Sequence, residues 1–241
     1  MDGHMTLLEE HKEKLIKRIH QHPFLHRCRQ RAVTLDELKI LLVQQGIYSG
    51  YFTRYLCALM ANLPNQGHVL SLARNLCEEL GLMEHSAIPH SAIYRTMLDH
   101  FGLTLDGARP FLGTRRLIDT MFDHCRDPKV ARGLGALCLG AEALVPAIYA
   151  DLITAFEGCG ADRTSVHFFH LHVECDDGHA ETMWNIMLGL AKQDPDQFPL
   201  MLSAGTAMVD ARLDFFSSIA SSHKVTTQAN AADASLELIE V

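Results

Sequence analysis

The segment His172-Val173-Glu174-Cys175-Asp176-Asp177-Gly178-His179 places an imidazole, a carboxylate and a second imidazole at positions i, i+4 and i+7. At about 100° per residue, these three side chains fall within an arc of about 60° on one helix face. One helix therefore offers three metal ligands together. Imidazole combined with carboxylate suits iron, manganese or zinc, whereas an all-oxygen set suits magnesium or calcium. The competing reading is a histidine-rich amphipathic helix turned to water. The surrounding FFHLHVECDDGHAETMW is too apolar for that, and its polar positions are too well aligned.

A redox centre needs ligands from more than one helix. The run from Gly133 to Phe156 supplies Glu142, set among Leu137, Leu139, Ala141, Leu144, Val145 and Ile148. A bare carboxylate in such surroundings is costly unless it is protonated, paired or metal-bound. Pro146, four residues on, removes the N–H that would bond the Glu142 carbonyl, which predicts a bend at that point. A third stretch, Asn75 to Tyr94, carries Glu78 and Glu79 near a helix end with Gly81 as its cap, and Pro89-His90 opens the next helix. Such a corner brings an acid and a histidine together. Spacing alone does not choose among Glu78, Glu79, Glu84, His85 and His90.

The elements that position these residues are helices. Apolar residues recur at three and four in LLEEHKEKLIKRI, in LDELKILLVQQGIYSGYFTRYLCALMANL and in HVLSLARNLCEELGL. Breaks fall at His22-Pro23, Leu63-Pro64-Asn65-Gln66-Gly67, Ala87-Ile88-Pro89, Gly158-Cys159-Gly160 and Asp194-Pro195-Asp196. Strand signals are nearly absent, so the pattern predicts an all-α single domain of about seven or eight helices spanning residues 1–221. From about Ser222 to Val241 the residues become small and polar, which predicts a flexible tail over 222–241.

Composition narrows the class. A chain of 241 residues with 48% hydrophobic content can bury a substantial core. A net charge of −8, with no basic-aromatic stripe, argues against a nucleic-acid or anionic-membrane partner. The seven cysteines form neither a CxxC pair nor an even framework and read as reduced thiols of a cytoplasmic protein. The N-terminal MDGHMTLLEEHKEKLIK has no apolar signal-peptide core, and the long apolar run is interrupted by Glu142, Pro146 and Asp151, which argues against a membrane span.

Taken together, FFHLHVECDDGHAE, LGALCLGAEALVPAIY and NLCEELG with PHSAIY resemble the heme-oxygenase-like diiron oxidases and oxygenases, a family of iron-containing redox enzymes. The resemblance spans about residues 5 to 220. It implies a heme-oxygenase-like bundle, and it implies His172, Asp176 and His179 as ligands on one helix, Glu142 as the central glutamate, and Glu79 and His90 at the corner. The loop between Glu79 and His90 departs from the family's spacing, so Glu78 and His85 stay open as substitutes. Three carboxylates and three neutral imidazoles around two Fe(II) ions leave one net positive charge and unfilled coordination positions. The implied activity is O2-dependent oxidation of a small organic molecule: N-oxygenation, oxidative C–C cleavage or decarboxylation of an amine, amino acid or carboxylic acid. A homodimer is the assembly the resemblance implies.

Other readings fit less well. Ferritin-like diiron proteins use two Glu-x-x-His motifs, whereas here the only acid three residues before a histidine is Asp176 before His179. HExxH is absent, which removes a zincin protease. A metal-independent thiaminase-like or pyrroloquinoline-quinone-synthase-like enzyme is the alternative, and it has no need of six ligands. A helical protein that holds iron without turning it over is the non-enzymatic alternative. His22 and His26, four apart around Pro23, read as helix-start residues, and Tyr149 lies within a turn or two of Glu142.

Overall fold

The computed structural model describes residues 3–84, 86–174 and 178–237. Among the described residues twelve α-helices follow one another: α1 Gly3–His20, α2 Pro23–Arg29, α3 Leu35–Ser49, α4 Phe52–Met60, α5 Gln66–Glu79 and α6 His90–His100. They continue as α7 Leu112–Cys125, α8 Val130–Gly140, α9 Val145–Gly158, α10 His167–Glu174, α11 Gly178–Gln193 and α12 Gln197–Glu237. Among the described residues there is no strand, only one isolated bridge between Met83 and Ser86. The fold class is therefore all-α, as the periodicity predicts, with more helices than expected. The difference arises where a three-four repeat continues across a break in the backbone. The repeat through LLVQQGIYSGYFTRYL is split at Gly50-Tyr51, between α3 and α4.

The predicted punctuation has identifiable chemistry. His22 caps α2 by accepting the Phe24 N–H, with Pro23 in the first turn. Its other ring nitrogen lies 3.0 Å from the Ser217 hydroxyl. Both nitrogens of His22 are thus engaged in holding the fold. Asn65 caps α5 by accepting from Gly67 and His68. Glu37 and Thr34 form a capping box at the start of α3.

The centre of the molecule is α8, in which nine of eleven residues are buried. It lies against α12 so closely that a Cβ on Gly135 would sit 2.1 Å from the Met201 carbonyl oxygen. Leu134, Leu137 and Leu139 on α8 join Met201, Met208, Phe215 and Phe216 on α12 in one continuous apolar core. The Val130–Gly158 stretch is long and apolar enough to cross a membrane, yet 67% of its most apolar window is buried within the fold. The backbone of α12 remains helical past Ser222, where the composition turns polar.

Pro146 does more than bend this stretch. Helix α8 stops at Gly140, Ala141 takes φ −133 and ψ −81, and Glu142–Leu144 form a separate 3₁₀ turn before α9 begins with Pro146 in its first turn. The missing N–H costs nothing at a helix start, so the proline fixes where α9 opens.

Candidate metal centre

Four elements far apart in sequence meet at the break beside Ala141. Helix α5 ends at Glu79, and Gly81 follows at φ +70. Its N–H bonds the Glu78 carbonyl and that of Leu82 bonds the Cys77 carbonyl, a Schellman closure. A Cβ on Gly81 would lie 2.5 Å from the Pro89 nitrogen, so glycine is required both by the left-handed backbone and by the return of the chain. That return sets His90, the first residue of α6, against Glu79.

Glu79, His90 and His172 form a group whose ligand atoms all lie within 4.8 Å of one another. His90 Nδ1 is 3.0 Å from Glu79 Oε1, yet it has no hydrogen bond of acceptable direction. His172 Nδ1 lies 2.8 Å from the Phe168 carbonyl oxygen, which can only accept. Nδ1 therefore carries the proton and Nε2 offers its lone pair, the arrangement found in metal-bound histidines.

A second group shares Glu79. His179, the second residue of α11, has Nδ1 3.6 Å from Glu79 Oε1 and 4.0 Å from Glu142 Oε1, and Nε2 3.2 Å from Glu78 Oε2. A neutral ring that donates Nε2–H to Glu78 turns a lone pair toward two carboxylates, an arrangement that calls for a cation between them. Side-chain exposures of Glu79, His90, Glu142 and His179 lie between 11% and 17%, against 35% for Glu78.

The electrostatics agree with this geometry. Burial, reinforced by Glu79, pushes the Glu142 carboxyl up to about 7, although His179 and His90 pull the other way. Burial also pushes the His172 imidazole down to about 4, so it is neutral at physiological pH. For His90, burial acts against the charged form but is outweighed by Glu79, Glu78 and Glu142, and its pKa is raised.

Of the expected ligands, the structure brings together Glu79, His90, Glu142, His172 and His179. It also brings Glu78 to the outer side of His179. Asp176 and His85 lie outside the described residues, as does the junction between α10 and α11. Glu84 is exposed.

Glu79, His90, Glu142 and His172 line one wall of a cavity of about 340 Å³. Its apolar sides include Val145, Ile148 and Phe168. Tyr149 also lines it, with its ring centroid 5.8 Å from that of His172. On the hydroxyl side of Tyr149 the lining is polar: Gln45 meets that hydroxyl, Arg212 meets Gln45, and Tyr48 lies against Arg212. Sequence reasoning overlooked Gln45, Tyr48 and Arg212. A signal exists for Arg212, because Met208, Phe215, Phe216 and Ile219, its i−4, i+3, i+4 and i+7 neighbours, are all apolar and buried.

The helix arrangement defines a heme-oxygenase-like fold. It matches a heme-oxygenase-like domain of unknown function from Shewanella denitrificans with a TM-score of 0.77 at 14% identity, covering 92% of this chain and 94% of that one. It also matches a TenA homologue from Pseudomonas syringae with a TM-score of 0.76 at 15% identity, covering 91% and 93%. Residues 39–213 match the iron-containing redox enzyme family, and the chain belongs to that family. A similar protein of known activity is the 4-chloro-allylglycine synthase of Streptantibioticus cattleyicolor. It is 22% identical over 188 residues, 77% of this chain and 69% of that protein.

Proposed function

We propose that this protein is a non-heme diiron enzyme that uses O2 to oxidise a small organic molecule. The observation that carries the reading is the sharing of Glu79 by two ligand groups, one with His90 and His172, the other with His179 and Glu142. A carboxylate has two oxygens and can serve two ions, and among the described residues Glu79 and Glu142 pair with histidines and with no lysine or arginine. Iron is favoured over zinc by the family to which the chain belongs, and over magnesium by the imidazoles. Bound Fe(II) supplies the electrons that reduce O2.

The protein's own residues prepare the site. His172 is held in one tautomer by the Phe168 carbonyl and is already deprotonated, so it binds without giving up a proton. Glu142 must release one. Glu78 orients His179 from outside. Val145, Ile148 and Phe168 exclude water and pack the substrate beside the ligands. The cavity volume suits an amino acid or a short-chain acid, and the name of the Streptantibioticus relative, the synthase of an amino acid, supports that size.

The test is iron content and oxygen uptake together. Protein loaded anaerobically with Fe(II) should hold about two irons per chain and consume O2 faster when offered a pool of amino acids, amines and fatty acids. One iron or none per chain, with uptake indifferent to every organic addition, overturns the proposal.

A further inference from the structure

We infer that Arg212 and Tyr48 form the carboxylate-binding end of the substrate cavity, so that the substrate is an organic monocarboxylate anchored by the protein rather than by the metal. This rests on the reading of the cavity as the active site. Arg212 is 4% exposed and Tyr48 is 3% exposed, and both line the cavity. The guanidinium lies 4.7 Å from the centroid of the Tyr48 ring and donates from one Nη to Gln45 Oε1 over a long 3.4 Å. Its Nε and the Tyr48 hydroxyl are buried without a well-directed hydrogen bond, and the polar neighbour of that hydroxyl is the guanidinium itself. Gln45 in turn donates to the Tyr149 hydroxyl at 3.4 Å, another long contact.

A guanidinium is always charged, and burial without an anion is strongly unfavourable. The π face and the amide offset only part of that cost. Elsewhere the same fold gives its buried charges close partners: Arg29 meets Asp151 at 2.5 Å, and Arg27 meets Glu37 at 2.6 Å. Among the described residues Arg212 is the one buried cation, and it faces a cavity. A carboxylate fits because its two oxygens match the guanidinium fork and the Tyr48 O–H, which faces a group that can only donate, is left to donate to one of them. It also carries one charge, equal to that of the single buried cation.

The consequence is orientation. Tyr149 stands between the two ends, touching His172 with its ring and Gln45 with its hydroxyl. A substrate held at Arg212 presents to the ligand cluster the end remote from its carboxylate. Oxidation then falls on a distal C–H or N–H bond, and the carboxylate survives the reaction.

Calorimetric titration of butanoate, hexanoate, octanoate and decanoate, each against its primary amide, tests this on both Fe(II)-loaded anaerobic protein and metal-stripped protein. At least one acid should bind at least about 10-fold more tightly than its amide in both forms. Arg212→Gln should weaken it by about 30-fold and remove the preference for acid over amide, and Tyr48→Phe should weaken it by about fivefold. If Arg212→Gln fails to fold, Arg212→Lys, which keeps the charge but loses the fork, should weaken the acid by about tenfold. No acid binding better than its amide overturns the inference. So does binding that needs iron and ignores these substitutions, because the carboxylate then sits on the metal. Since the acid preference is read without metal, a failure of the diiron reading leaves this result standing and is recognised separately by iron content and oxygen uptake.

Discussion

Glu142 and Asp151 sit on the same apolar stretch and are treated oppositely by the fold. Asp151, on α9, receives Arg29 at 2.5 Å, with His20 at 3.5 Å, and Arg29 also reaches the His20 carbonyl. That acid is neutralised by the chain itself and ties α2 to α9. Among the described residues Glu142 has no lysine or arginine beside it; it faces imidazoles and another carboxylate, and its proton is held up to about pH 7 by burial. A buried acid that the protein has already paired with an arginine is structural, whereas one left among imidazoles and a second acid has the surroundings of a cation site.

The largest effects should come from the unpaired side of this contrast. His172→Ala and Glu142→Ala should each lower substrate-stimulated O2 uptake by about 100-fold or more, with iron content falling in parallel. Asp151→Ala should leave iron content and uptake per folded molecule unchanged. It should instead destabilise the protein by about 1 kcal/mol in denaturant titration, because the ion pair between α2 and α9 is lost while Arg29 stays partly solvated. If Asp151→Ala loses iron while keeping its stability, the two acids do not differ as described.

Protons sharpen the comparison. Fe(II) competes with the proton on Glu142, so iron affinity should rise by about tenfold per pH unit up to about pH 7 and flatten above it. The rise should be steeper where His90 also gives up its proton. His172, held near 4, should contribute nothing above about pH 5. Glu142→Gln should remove the Glu142 part of the slope, as metal titrations at stepped pH would show.

The smallest effect concerns the metal-free protein. The folded state keeps the Glu142 proton to about pH 7, whereas the unfolded chain releases it near 4.5, so stability is progressively lost as pH rises between those values. That loss is at most about 3 kcal/mol, and part of it returns when a neutral amide replaces the acid. Metal-stripped Glu142→Gln should therefore be more stable than the parent by about 1 kcal/mol at pH 8, and the difference should shrink toward pH 5. A uniform loss of stability at every pH would mean that the Glu142 carboxylate is compensated after all.

Much of the site was legible beforehand because its signals are local. Gly81 after Glu78-Glu79, Pro89 before His90, and Glu142 in an apolar run ahead of Pro146 each carry a backbone or solvation argument that needs no partner. Choosing between Glu78 and Glu79 was not legible: adjacent residues on a helix end differ by a rotation whose meaning depends on where His90 and His179 arrive. The bend expected at Glu142 is instead a full break with a 3₁₀ turn, because a proline opens a helix as readily as it kinks one. Arg212 passed unnoticed between Asp210 and Asp214, neighbours typical of a solvated face, although its three-four neighbours were apolar.

By itself, the sequence determined the helical class, most of the breaks and which side chains could hold a metal, since period, capping and side-chain type act within a few residues. Only the tertiary structure decided that Glu79 is shared between two ligand groups and that Arg212 is buried without an anion at the far end of their cavity. Both depend on helices that meet across the fold, where the absence of a compensating charge is a property of the packing and of no single segment.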